Sequence, residues 1–236
     1  MRYALLASLL VLSTSAFADG PPRDPYIQVN GHGELKVAPD VAYVSLSVEK
    51  TAADAKAARA DVEARTAKVL AVARRLGIAD RDIEAPAVTV YPEYQCVTSS
   101  LSSGCTNKLV GQHVSRAVTL TLRDLSRYGD LADGLFAAGV TDLGAVDLDR
   151  SDRRVLEEKA RALAVQDAYG KAAGLAKAAG ADLGAVFSIT EQGGGYNGPR
   201  PVAMAMAKSS DEAQPEYLNG KIDIAADVAV YYLIGK

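Results

Sequence analysis

The 236-residue chain carries 26 Lys and Arg against 29 Asp and Glu, and 49% of it is hydrophobic. That length fits one sizeable domain or two small ones. The mildly acidic balance argues against nucleic acid, which rewards a basic stripe, and against anionic lipid as a main partner.

Residues 1–18 read as a signal peptide. Arg2 gives a short positive start, an apolar run follows from Ala4, and Ala16-Phe17-Ala18 presents small residues to a signal peptidase, with cleavage between Ala18 and Asp19. The run is shorter than the roughly 20 apolar residues that cross a bilayer. A core helix is the alternative, disfavoured because no acid appears before Asp19. No later segment approaches transmembrane length, so the expected location is the periplasm, in solution or associated with the outer membrane. Cys96 and Cys105 form an even pair in an exported chain, which predicts a disulfide. A closed loop of 15 residues is worth about 3 kcal/mol in the chain-entropy account. Two free thiols are the alternative. A metal site is disfavoured, because His32 and His113 lack ligand spacing relative to the pair.

In chain order, residues 19–25 form a Gly/Pro-rich leader expected to lack structure, and 27–33 form a first short strand. Pro39-Asp40 breaks the chain. Ala42, Val44, Leu46 and Val48 then alternate with Tyr43, Ser45 and Ser47, the period of a half-buried strand. Thr51 is placed to cap the next helix, with Asp54 in its first turn. Ala55, Arg59, Val62, Thr66, Val69, Ala73 and Leu76 recur at spacings of four and three and make one helical face, which Gly77 ends. Residues 83–94 read as a strand whose Pro86 asks for an edge or a bulge. Residues 95–107 are polar and read as a loop holding both cysteines. A long strand follows over 108–123, with Val114, Val118, Leu120 and Leu122 on one face. Arg116 falls on that same face and needs either a bulge that turns it out or a carboxylate that meets it inside.

A short helix is predicted over 124–138, closed by Gly139, and a strand over 143–148. Ser151 is placed to cap the longest helix, which runs to Ala179 and ends at Gly180. Leu156, Ala160, Leu163, Ala164, Ala168, Leu175 and Ala179 make its stripe. Gly170 and Gly174 each cost about 1 kcal/mol in a helix. They point either to close approach of a sheet or subunit or to a tolerated defect. A strand is predicted over 185–190, no period is visible over 193–216, and 221–234 carries the longest period-two run in the chain.

These elements predict an α+β fold, with largely antiparallel sheet and two long helices packed on one face. The order strand, helix, strand, long loop, strand occurs over 41–123 and again over 143–234, the pattern of a duplicated unit inside a domain spanning 26–236. One of the two long loops then holds the cysteines. The other holds the glycines at 193–195, Tyr196, Met204 and Met206.

Gly31-His32-Gly33 followed by Ala38-Pro39-Asp40, the strand 111–122 with Arg116 inside it, Thr121-Leu122-Arg123-Asp124-Leu125, Ala138-Gly139, the alanine-rich helix over 159–179, and 180–190 with the closing strand occur in an order that resembles the SIMPL-domain family, from about Ile27 to Ile234. The resemblance implies an exported, non-enzymatic protein. It also implies large ring-like or channel-like homo-oligomers and, for some members, a part in tolerance of oxidative stress. It supplies no catalytic or binding residues, and the Cys96–Cys105 pair stands where the family pattern does not require one.

Candidate chemistry is sparse. His113 and Ser115 are neighbours in one strand and are read as facing opposite ways, so a core or surface histidine is expected. His32, between two glycines and near Glu34, is read as a turn residue. Neither Gly31-His32-Gly33 nor the 193–195 glycines have the context of a phosphate loop. Asp147, Asp149, Asp152, Glu157 and Glu158 gather near a helix start, where the dipole favours them. The expectation is therefore no catalytic, cofactor-binding or metal-binding residue. The chain reads as a non-catalytic envelope protein that self-assembles and acts in oxidative-stress tolerance. The alternatives are a disulfide-redox protein using Cys96 and Cys105, disfavoured because they are not Cys-x-x-Cys, and a hydrolase with an unrecognised site.

Overall fold

The computed structural model of the chain describes residues 24–98, 105–192 and 220–235. The signal peptide, the Ala18/Asp19 cleavage point, the start of the leader and the 193–216 stretch with Tyr196, Met204 and Met206 lie outside the described residues.

In chain order the elements are β1 (Tyr26–Val37), β2 (Val41–Ala52), α1 (Ala55–Arg75), β3 (Ile83–Glu84), β4 (Thr89–Thr98), β5 (Cys105–Leu122), α2 (Tyr128–Ala138), β6 (Asp142–Asp149), α3 (Arg153–Ala179), β7 (Asp182–Gln192) and β8 (Ile222–Gly235). The expected α+β fold is present, divided between two sheets. One has the order β1-β8-β7; the other has β3-β5-β2-β6, with β4 also paired to β5. Every pairing is antiparallel. α3 covers the first sheet, α1 covers the second, and α2 packs beside α1.

The first core follows from two periodicities. Along β8, Ile222, Ile224, Ala226, Val228, Val230 and Tyr232 are buried at every second position. Along α3, Ala160, Ala164, Ala168, Ala172 and Ala176 are buried at every fourth. A stripe of methyl groups lets the helix axis come close, and the sheet must be correspondingly bare. Gly31 and Gly33 provide this: a β-carbon there would lie 2.0 Å from the carbonyl oxygen of Ala164 and 2.1 Å from that of Ala160. His32 is therefore a strand residue of β1 and not a turn residue. The close approach expected of Gly170 and Gly174 toward a sheet is absent, since a β-carbon at either would meet nothing within 4 Å.

The second core joins Val44, Leu46 and Val48 of β2 and Val114, Val118 and Leu120 of β5 to Ala58, Val62, Val69 and Ala73 of α1 and Leu131 and Leu135 of α2. Each large aliphatic side chain so buried contributes about 1.5–3 kcal/mol. Thr66 is buried among them, its hydroxyl without a hydrogen-bond partner. Pro86 sits where the β3–β5 and β4–β5 ladders separate. Glu84 opposes Thr119 and Thr89 opposes Ser115, so five steps on one side meet four on the other. Residues 85–88 in between belong to neither strand, so the strand expected over 83–94 is broken around Pro86 into β3 and β4, both outer partners of β5. That stretch also disposes of Arg116. Its guanidinium donates to the carbonyl oxygens of Pro86 and Ala85, each at 2.9 Å. Neither a bulge in its own strand nor a carboxylate is involved.

Three local expectations change. Thr51 is still in β2, and Asp54 is the cap of α1, accepting from the backbone N–H groups of Lys56 and Ala57. Ser151 does not cap α3. Its N–H and hydroxyl both donate to Asp40, at 2.6 and 2.7 Å, and Asp152 holds the cap position without a capping bond from its side chain. The helix expected from Asp124 opens as a 3-10 turn over Leu125–Arg127. The element order of 41–123 recurs in 143–234, but β6 pairs with β2, while β8 pairs with β1 and β7.

Candidate functional site

Of residues 95–107, read as a loop, the described ones, 95–98 and 105–107, instead extend β4 and β5. β4 and β5 pair from Thr89↔Ser115 out to Thr98↔Cys105, past the point where β2 ends opposite Gln112. Beyond that point the hairpin projects as an arm, with Tyr94, Val97, Leu109 and Val110 all about half exposed. A register shift at Glu93/Tyr94 marks where it leaves the sheet.

At the base of the arm lies a polar cluster around His113. Its side chain is only 15% exposed although it stands on the open face of the sheet. The Tyr91 ring covers it, with centroids 4.7 Å apart. Thr51 donates its hydroxyl proton to Glu93 at 2.5 Å, so the same oxygen, 3.0 Å from Nδ1 of His113, accepts from that nitrogen. Nε2 faces Glu49 at 3.6 Å. Ser47 and Ser115 donate to the other oxygen of Glu49, at 2.9 and 3.4 Å. His113 and Ser115 therefore share a face, contrary to the expectation, as residues two apart in a strand must. Yet the Ser115 hydroxyl is directed to a carboxylate and not to the imidazole, so no nucleophile–base pair forms. The cluster ties β2, β4 and β5 together where the arm begins.

His32, the other histidine, pairs through Nδ1 with Asp227 of β8 at 2.8 Å, while its backbone N–H donates to Asp167 of α3. The Lys171 hydrogen bond to Asp167, followed by that N–H, holds the Asp167 carboxyl below the usual carboxylate range. The acids near the start of α3 are spent in ion pairs: Asp149 and Glu157 with Arg153, Asp152 with Arg150, and Glu158 with Arg154. A small crevice of about 120 Å³ is lined by residues that include Ile78, Asp82, Leu122 and Arg123. Asp82 is nearly buried there and accepts from Arg123 at 2.7 and 3.2 Å. That bond draws its carboxyl below the usual range. Among the described residues no group of three or more His, Cys, Asp or Glu is placed to hold a metal ion. No helix among them is long and apolar enough to cross a membrane.

The remaining conspicuous surface is β7. It pairs with β8 along one side and, among the described strands, with nothing along the other. Val186, Phe187 and Ile189 are each about half exposed.

Residues 27–232 match the family described as SIMPL, a protein of unknown function (DUF541). The chain belongs to the SIMPL family. It is 32% identical over 191 residues to the 26 kDa periplasmic immunogenic protein of Brucella melitensis, covering 80% of this chain and 75% of the relative. It is 31% identical over 178 residues to the uncharacterized protein YggE of Edwardsiella ictaluri, covering 75% and 72%. To YggE of Escherichia coli it is 27% identical over 230 residues, covering 97% and 91%. In this SIMPL chain, the stretches that carried the resemblance serve structure. Gly31 and Gly33 admit α3. Asp40 binds Ser151. Arg123 holds Asp82, and Asp124 accepts from Ser126 to start the 3-10 turn. Of these positions, the stretch from Thr121 to Asp124 lines the small crevice beside Asp82, where Arg123 is taken by that carboxylate. The sequence reading missed the arm and the bare edge of β7, although the run 183–190 without a charged residue was visible in it.

Proposed function

We propose that the chain is an exported, non-catalytic protein of the cell envelope that works as a homo-oligomer in the periplasm and supports tolerance of oxidative stress. The observation that carries this reading is where exposed apolar side chains collect. Besides those scattered over the helices, they cluster on β7 and on the β4–β5 hairpin, an unpaired strand edge and a projecting element, the places where chains join. The name of the Brucella relative supports the compartment. A Cys96–Cys105 disulfide fits as a staple of the arm, because the backbone register sets Cys105 two positions along the ladder from the Cys96–Asn107 pair.

Size-exclusion chromatography with light scattering on the purified protein tests the assembly. A multiple of the chain mass is expected at micromolar concentration, and a strict monomer overturns it. For the stress role, a deletion strain is challenged with peroxide. Sensitivity rescued equally by wild type and by a Cys96→Ser/Cys105→Ser variant is expected. Rescue that requires the cysteines would favour redox chemistry at that pair.

A further inference from the structure

We propose that Asp167 and Lys171 of α3 guard the outer edge of β1: they occupy its central backbone groups and so bar another strand from adding there. The inference does not rest on the self-assembly reading; it names residues that keep one edge of the sheet closed.

In a strand, the N–H and C=O of one residue point to the same side, and successive residues alternate in side. Pro25, one position before β1, accepts from the N–H of Ile234 of β8. The odd-numbered residues of β1 therefore turn their backbone groups to β8. Gln28, Asn30, His32 and Glu34 turn theirs outward, where no other described strand pairs with β1. At the middle of this row, two side chains of α3 stand in for a strand. The Lys171 ammonium donates to the carbonyl oxygen of Asn30 at 2.9 Å. The Asp167 carboxylate accepts from the N–H of His32 at 2.8 Å. Lys171 also donates to Asp167 at 2.6 Å, which ties the two together. The pair offers the edge one donor and one acceptor, as a neighbouring strand would. It presents no further row of backbone groups, and an incoming strand must displace both members.

The reach of these side chains follows from the sequence. Gly31 and Gly33 leave β1 bare beneath Ala160, Ala164 and Ala168, so the backbone of α3 rests on the edge strand itself. Beside that stripe, Leu163, Asp167 and Lys171 recur at every fourth position of the helix and follow the outer side of β1. Leu163 lies beside Gly33, Asp167 meets His32 and Lys171 meets Asn30. Charged side chains, lysine above all, and covering helices are the means by which proteins close strand edges. Here one helix supplies both, and the two glycines that flank His32 are what bring it within reach.

The test is the full chain carrying Asp167→Ala/Lys171→Ala. Alanine is the best helix former, so α3 is retained. The expected result is an unchanged circular dichroism spectrum with a light-scattering mass about twice that of wild type or more. Amide exchange over 28–34 is expected to be faster than in wild type when the variant is dilute and to slow as it associates. Asp167→Asn, which keeps an acceptor for the His32 N–H, is expected to retain the wild-type mass. A folded double variant with the wild-type mass overturns the proposal, as does association that leaves exchange over 28–34 fast, since the joint then lies elsewhere. Should the double variant fail to fold, Lys171→Ala alone decides: it frees the Asn30 carbonyl, a gain of mass is expected, and the wild-type mass overturns the guard. A monomeric wild type bears only on the self-assembly reading, because the guard is judged by the change between variant and wild type.

Discussion

Gly31 and Gly170 are the same residue type under opposite constraints. At Gly31 a methyl group would collide with the backbone of α3, which cannot yield as a flexible side chain would. Gly31→Ala is expected to cost about 3 kcal/mol or more as overpacking. Gly170→Ala, in open space on the same helix, is expected to gain up to about 1 kcal/mol from helix propensity. Urea denaturation of the two variants checks both signs. Asp82 carries a pH dependence. Its carboxyl is held low by Arg123, so its folded pKa lies below the unfolded value of about 3.9. The stability it contributes is present above that value and is lost as pH falls through the lower folded one. Asp82→Asn is expected to lower the urea midpoint at pH 7 and to shrink the loss between neutral and acid pH. A variant matching wild type at both pH values would show that the pair contributes nothing. Some side-chain roles were legible from sequence: Gly77, Gly139 and Gly180 all follow helices with positive φ. Others were not. Thr51 and Ser151 have ideal capping chemistry, but each hydroxyl is taken by a carboxylate distant in sequence, Glu93 and Asp40. Propensity cannot anticipate a competitor that only folding delivers.

β8 was readable along its whole length because every second side chain enters one core. The arm was not, for the opposite reason. Where a hairpin runs beyond its sheet neither face is buried, so no alternation marks it and the polar composition reads as loop. Its order must come from its own ladder and, on the proposed reading, from the Cys96–Cys105 staple. Replacing both with serine is expected to speed amide hydrogen exchange in 94–98 and 105–110 while leaving the urea midpoint nearly unchanged, since the arm contributes little to either core. Exchange that stays slow would show that the ladder alone suffices. Edge strand β7 follows the same logic. It reads as a strand from sequence, but α3 lies mainly over β1 and β8 and leaves Val186, Phe187 and Ile189 about half exposed.

The chain passes between the two sheets twice. β1 passes to β2 through residues 38–40, and β6 passes to α3 through 150–152, so two crossings between sheets run side by side. Asp40 stitches them, with its N–H donating to the carbonyl oxygen of Asp149 and its carboxylate receiving both donors of Ser151. Asp40→Ala is expected to cost about 1 kcal/mol by removing the two hydrogen bonds to Ser151, whose donors water can reach; thermal melts of the variant test it. By itself the sequence determined the α+β class, the antiparallel strands and the two long helices. These follow from period, propensity and steric exclusion among residues near one another in the chain. Only the tertiary structure decided that β6 joins β2 while β1 joins β8, that Arg116 ends on backbone carbonyls, and that β7 is left bare. Each of those outcomes depends on which distant segment arrives to bury a surface or satisfy a polar group, and local pattern carries no information about that.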